Sequence, residues 1–189
     1  MATKLAEREG DERRMLEARL KSLYEELEKI AGKSKEVEGE VNRLIEQLKG
    51  VLKEYGFDDV KVRVIAPYWE ELLDDDYSDD LGTESPDVVS VEFEFENGRL
   101  LVYRSFEKFR WQTYCDHEKS PHKGYCRGFE KALENMGKYI AKIFEKTEIG
   151  KLMVEIDKKL FELKELNEEY DELKGTIDGI KEFLYEEYD

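Results

Sequence analysis

The sequence predicts an α+β protein in which two long terminal helices form an antiparallel coiled-coil hairpin that carries a small α+β head. Two observations support this prediction. Apolar residues recur at alternating intervals of three and four at both ends of the chain, whereas the central third changes to the period of two that is typical of strands. The predicted stalk comprises residues 11–55 and 149–188, and the inserted head comprises residues 57–147.

The N-terminal helix is predicted from a heptad pattern that continues through five heptads. Its a and d positions are Leu16, Leu20, Leu23, Leu27, Ile30, Ser34, Val37, Val41, Leu44, Leu48, Val51 and Tyr55. The other positions are mostly Glu, Lys and Arg, as in the solvated flanks of a coiled coil. An alternative is that the segment from Ala31 to Ser34 divides the helix, with Ser34 capping its second part.

The C-terminal helix carries a similar stripe with one irregularity near residues 160–166. Its members are Ile149, Leu152, Ile156, Leu160, Leu163, Leu166, Tyr170, Leu173, Ile177, Ile180 and Leu184. Folding back about residue 101 lets the two stripes bury each other and places the small residues Gly32 and Ser34 near Tyr170. A parallel homodimer is the alternative arrangement.

The head is predicted as a three-stranded antiparallel meander with a covering helix. One segment alternates apolar and polar residues from Val60 and is ended by Pro67, and a second alternates from Val89 to Phe95. Asn97-Gly98 is a strong hairpin signal. The return strand covers residues 99–114, with a bend or bulge around residues 105–108, where the alternation falters. A helix over residues 128–146 follows, with Phe129, Leu133, Met136, Ile140 and Ile143 or Phe144 on one face.

The composition limits the partners of the chain. The formal net charge is −16, which disfavours binding to DNA or to an anionic membrane surface. No apolar run approaches the roughly 20 residues that span a bilayer, and the N-terminal residues lack the apolar core of a signal peptide. Two Gln and four Asn among 189 residues are typical of proteins from heat-adapted organisms. We therefore expect a cytoplasmic protein.

Both cysteines and both histidines of the chain fall within twelve consecutive positions. They are Cys115, His117, His122 and Cys126, with the spacing C-x-H-x4-H-x3-C. Two thiolates and two imidazoles are a donor set that tetrahedral zinc favours, so a structural Zn²⁺ is the first hypothesis. A disulfide between the two cysteines and uncommitted side chains are the alternatives. Such a link would fasten the last strand to the helix.

The strand around Arg110 interleaves basic and aromatic side chains. Arg104, Lys108, Arg110 and Trp111 form the candidate binding set, because stacking and positive charge together bind single-stranded nucleic acid. An amphipathic strand with its aromatic residues in the core produces the same pattern. The acidity of the chain favours this second interpretation, so a nucleic-acid partner is not expected.

An acidic run precedes this strand: twelve acids and no basic residue lie between Glu70 and Glu96. Asp74, Asp76, Ser78 and Asp80 have the spacing of calcium ligands. The glycine and the closing glutamate of a calcium loop are missing, which favours a solvated loop.

Together these features predict a non-enzymatic scaffold or adaptor protein that binds a protein partner and assembles into a homo-oligomer. One alternative is an acidic mimic of nucleic acid that inhibits a DNA-binding protein, which the acidic run suggests. Another is a small metal-dependent enzyme or nucleic-acid binder that uses residues 99–131. Enzymatic activity is the less favoured hypothesis, because four protein ligands would close a zinc site to substrate.

Overall fold

The computed structural model describes residues 2–66, 87–116 and 123–186, and the side chains of residues 10–66, 87–116 and 127–185. In this part of the chain three helices accompany one antiparallel sheet of four strands in the order β1-β2-β3-β4. The elements are α1 (Ala2–Glu54), β1 (Val60–Ile65), β2 (Val88–Phe95), β3 (Gly98–Ser105), β4 (Lys108–Cys115), α2 (Lys123–Lys146) and α3 (Glu148–Glu186). The α+β class predicted from the sequence is confirmed.

The chain divides into two compact units. One comprises Met1–Glu38 and Glu162–Asp189, and the other comprises Gly39–Phe161. We call them the terminal unit and the central unit. The boundaries predicted from the sequence, near residues 56 and 148, stay a prediction.

No described helix is long and apolar enough to cross a membrane.

In the terminal unit the described parts of α1 and α3 pack through their apolar stripes. Ile30 and Val37 of α1 form a buried cluster with Leu166 of α3. Farther along, the ammonium group of Lys181 lies 5.2 Å from the centre of the Tyr24 ring. Earlier residues of α1 therefore meet later residues of α3, so the two helices run in opposite directions.

Helix α1 continues without interruption through Gly32 and Ser34. The alternative in which Ser34 caps a second helix is therefore wrong. A single interior glycine costs about 1 kcal/mol relative to alanine. That cost does not outweigh the contacts that the buried Ile30 and Val37 make on either side of it.

The core of the central unit lies between one face of the sheet and the three helices. Its largest fully buried side chains include Leu48, Leu52 and Phe144. The Phe57 ring packs edge-on against the rings of Phe93 and Phe144, at centroid distances of 5.7 and 6.0 Å. The buried cluster is Val41, Leu44, Leu48, Leu52, Val89, Val91, Phe93, Leu100, Val102, Leu133, Ile140, Ala141, Phe144, Ile149, Leu152, Met153, Ile156 and Leu160.

Helix α2 presents the predicted face to this core. The predicted residues Leu133, Ile140 and Phe144 are buried in it, while Phe129, Met136 and Ile143 pack against it. On the same helix, a Cβ atom added to Gly137 would lie 2.6 Å from Cγ of Trp111. A glycine at this position therefore lets the helix approach the last strand closely.

The three-stranded meander predicted from the sequence is wrong, because residues 99–114 form two strands. β3 and β4 pair from Gly98↔Cys115 to Ser105↔Lys108 and are joined by the two-residue turn Phe106-Glu107. Both turn residues have positive φ, 48° and 62°. Such turns normally contain Asn or Gly, and neither residue type occurs here. The faltering alternation attributed to a bend marks this turn.

The hairpin predicted at Asn97-Gly98 is confirmed, but its turn is shifted by one residue. Gly98 pairs with Phe95, so the turn residues are Glu96 and Asn97. A side chain at Gly98 would overlap with the carbonyl oxygen of Tyr114 on β4. Glycine is therefore required here for close packing of strands, and not for an unusual φ angle.

The turn between β3 and β4 generates a stability prediction. We expect Glu107→Gly to raise the free energy of unfolding by about 1 kcal/mol, because Gly adopts φ near 62° without the strain that Glu carries there. Glu96→Gly is the matched control, since φ of Glu96 is not positive. It should lower stability by roughly 0.5 kcal/mol through backbone entropy. Urea unfolding measures the stability of both variants. If the two substitutions change the free energy of unfolding in the same direction, the prediction is wrong.

Candidate functional site

The cluster of cysteines and histidines lies largely outside the described residues. Cys115 is the last residue of β4 and is partly buried. His117 and His122 lie in the segment that the structure does not describe, and Cys126 belongs to α2 with its side chain undescribed. The predicted metal-ligand set therefore stays a prediction.

Cys115 is bonded in a disulfide. A sulfur atom in a disulfide carries no thiolate, and zinc coordination requires the thiolate. Within residues 10–66, 87–116 and 127–185, no group of three or more His, Cys, Asp or Glu side chains is arranged to hold a metal ion. At Cys115 the structure therefore agrees with the alternative prediction, a disulfide, and not with zinc coordination.

The structure separates the candidate basic and aromatic residues onto two faces of the sheet. Trp111 packs against the helical core, and because strand side chains alternate, Lys108 and Arg110 project from the opposite face. Arg104 follows the core residues Leu100 and Val102 on the helix-covered face. These four side chains do not form one surface on which nucleic-acid bases could stack.

The outer face of the sheet, opposite the helices, carries a network of charges that the sequence did not reveal. The side chain of Glu92 is only 2% exposed, and its carboxylate lies 3.3 Å from Arg63 and 3.8 Å from Arg99. The neighbouring Glu94 forms a 2.6 Å ion pair with Lys61. The hydrogen bond from Lys61 lowers the pKa of Glu94.

Two acids of the predicted acidic run are therefore neutralised within the sheet. Glu92 and Glu94 each have a basic partner on a neighbouring strand. The part of the run between residues 70 and 86, with the calcium-like spacing from Asp74 to Asp80, lies outside the described residues. Mimicry of nucleic acid, which the acidic run suggests, stays a prediction.

A second carboxyl group that the sequence did not reveal is that of Asp157 on α3, which is partly buried. Its Oδ1 accepts a 2.8 Å hydrogen bond from the backbone N–H of Val89. The pairing of β2 with β3 begins at Ser90, so this donor of β2 has no partner on β3. Burial raises the pKa of Asp157 to about 7, although the hydrogen bond from Val89 and the charge of Arg104 oppose the shift.

Two open clefts border the described sheet. One, of about 380 Å³, lies beside the end of β4 and is lined by Glu94, Phe95, Arg99, Tyr114 and Asp116, among others. The other, of about 340 Å³, lies between the end of α1 and the start of β1 and includes Glu46, Lys49 and Phe57. Neither cleft contains a nucleophile paired with a general base among its described residues, so neither supports a catalytic assignment.

Comparison with known proteins adds no assignment. No protein-family model matches the chain, and no curated protein or solved structure is significantly similar to it.

The environment of Asp157 generates a pH prediction. The pKa is 3.8 in the unfolded chain and about 7 in the folded protein, so the folded state binds more protons between these values and loses stability as the pH rises. Asp157→Asn keeps an oxygen that accepts from Val89 but cannot ionise. We expect its stability advantage over the wild type to grow from pH 4 to pH 7, to an amount on the order of 4 kcal/mol, and then to level off.

Urea unfolding at a series of pH values measures this advantage. Glu155→Gln, which removes one exposed carboxylate from the same helix, controls for the change in net charge. An advantage of Asp157→Asn that is independent of pH, or that shrinks as the pH rises, would contradict the role assigned to burial.

Proposed function

We propose that this chain is a non-enzymatic assembly protein, in which α1 and α3 form an antiparallel coiled-coil hairpin and the α+β unit presents an interaction surface. The main support for this proposal is that two unusually long helices, α1 and α3, pack in opposite directions. α1 has 53 residues and α3 has 39, which correspond to about 80 and 60 Å. Helices of ordinary globular domains average about 11 to 12 residues.

The contacts within each unit support the hairpin. In the terminal unit, Val37 of α1 shares a buried cluster with Leu166 of α3. In the central unit, Glu40 of α1 forms a 2.7 Å ion pair with Lys159 of α3. In each case the sum of the paired residue numbers is close to 200, as expected when one helix folds back along the other.

We assign the partner class as protein, including further copies of this chain. The dispersed candidate residues Arg104, Lys108, Arg110 and Trp111 argue against nucleic acid, and the net charge of −16 argues against anionic membranes. We place the protein in the cytoplasm. Disulfides do persist in the intracellular proteins of hyperthermophiles.

The cysteine and histidine cluster is proposed as a staple between β4 and α2. The disulfide at Cys115 supports a covalent link, and the only other cysteine of the chain is Cys126. A structural zinc ion bound by Cys115, His117, His122 and Cys126 is the alternative. Either link would strengthen a unit whose core is small.

Small-angle scattering and a helix-separating variant test the hairpin. A compact chain of 189 residues has a radius of gyration of roughly 16 Å, and we expect a clearly larger value for the monomer. Val37→Asp should reduce helix content because it places a charge in the buried cluster, whereas the adjacent exposed Glu38→Asp should not. A compact radius, or equal effects of both variants, would overturn the hairpin.

Metal analysis and thiol titration distinguish the two staples. A disulfide predicts no free thiol before reduction, two thiols after it and no bound zinc. Cys115→Ser should then lower the free energy of unfolding by about 2–3 kcal/mol, and His122→Ala, which removes only a zinc ligand, should leave it unchanged. One zinc per chain that His122→Ala releases would instead establish the metal staple.

A further inference from the structure

Strand β4 is an edge strand, and the described residues leave its outer edge without a strand neighbour. All eight of its residues remain at least partly exposed, in contrast to β2, where six of eight are buried. It contains no proline, and its pairing with β3 is regular over eight residue pairs. Proline and bulges are among the devices that normally prevent edge strands from pairing with other chains, and β4 has neither.

The hydrogen-bonding pattern shows which backbone groups face outward. In a two-residue hairpin the residues that flank the turn exchange both hydrogen bonds, so Lys108 pairs with Ser105 across the ladder. The N–H of Asp116 donates to the carbonyl of Asn97 at 2.8 Å, which agrees with this pattern. The backbone groups of the alternate residues, including Trp111 and Thr113, therefore point away from β3.

The side chains of the outer face distinguish the two edges of the sheet. On β1, Lys61 and Arg63 are paired with Glu94 and Glu92 of β2. On β4, the segment Lys108–Cys115 contains two basic residues and no acid. Neither Lys108 nor Arg110 forms an ion pair with a described residue, and Nε of Arg110 is buried without a hydrogen bond.

We propose that β4 pairs antiparallel with β4 of a second copy, so that two sheets join into one of eight strands about a two-fold axis at Gln112. This inference rests on the self-association in the proposed function and names its surface. In this register Lys108 lies opposite Asp116 of the second copy, and Arg110 lies opposite Tyr114. Tyr114 is 42% exposed, and its hydroxyl donates to Gln112, which leaves its oxygen able to accept a hydrogen bond.

Electrostatic interactions favour this register over registers in which the two-fold axis lies at a neighbouring residue. An axis at Arg110 would place two Arg110 side chains directly opposite each other, and like charges in that position are destabilising. An axis at Trp111 leaves Lys108 without a carboxylate partner. Among the axes that keep Lys108 opposite a described residue, only the axis at Gln112 gives Lys108 a carboxylate partner and Arg110 a hydrogen-bond acceptor.

A charge exchange tests both the interface and its register. Sedimentation equilibrium of the 189-residue chain should show a dimer. Lys108→Glu and Asp116→Lys should each weaken the dimer at least about tenfold, because each places like charges opposite each other. The double variant K108E/D116K should restore the dissociation constant to within about twofold to threefold, since the charges are then exchanged across the axis.

A backbone variant provides an independent test. The N–H of Thr113 faces outward, so Thr113→Pro removes a hydrogen-bond donor of the interface but none of the β3–β4 ladder. It should abolish the dimer, whereas Thr113→Val should retain it. Thermal melts by circular dichroism confirm that each variant is folded.

The results of these experiments distinguish a failure of pairing through β4 from a failure of the proposed self-association. A wild-type dimer that withstands Lys108→Glu and folded Thr113→Pro would overturn pairing through β4 and leave self-association intact. If both single charge variants weaken the dimer but the double variant does not restore it, the register is wrong. A wild type that stays monomeric at all concentrations overturns self-association altogether, while scattering from that monomer still tests the hairpin.

Discussion

The central unit depends on burying one face of a four-stranded sheet against parts of three helices. Leu48, Leu52, Phe144 and Met153 from these helices are completely buried against that face. Because strand side chains alternate, this burial also determines what the opposite face contains. Once Trp111 points toward α2, Lys108 and Arg110 must point away from it, and a continuous basic and aromatic surface cannot form. The core therefore decides which side chains are available for binding.

Two carboxyl groups that contact the sheet, the buried Glu92 and the partly buried Asp157, are stabilised by different means. Glu92 is compensated by Arg63 and Arg99 on the flanking strands. Asp157 instead accepts a hydrogen bond from Val89, a donor that the β2–β3 ladder leaves without a partner. A buried ion pair adds little net stability, but removing one partner is costly. We infer that Glu92 contributes mainly by penalising shifted strand registers that would separate it from its arginines.

The periodic elements could be predicted from the sequence. Features that depend on a single tertiary contact could not. The heptads of α1, the alternation of β2 and the apolar face of α2 follow from repeated burial of one side, so each leaves a pattern over many residues. The turn at Phe106 and Glu107 leaves none, because its residues lack the usual Gly or Asn. For the candidate site, the pattern predicted a link at Cys115 through zinc or a disulfide, and the structure has Cys115 in a disulfide. The burial of Asp157 depends on Val89, 68 positions away, which no local pattern encodes.

The two edges of the sheet are stabilised unequally, and this asymmetry connects the core to assembly. Strand β1 is held by its ladder and by the ion pairs of Lys61 and Arg63 with β2. Strand β4 has one ladder, no ion pair with described residues along its outer face, and Cys115 at its end. A disulfide at the last residue of an edge strand limits fraying at the point where the chain leaves the sheet. A strand fixed in this way keeps its outward N–H and C=O groups in register, which lowers the entropy lost when a second strand binds.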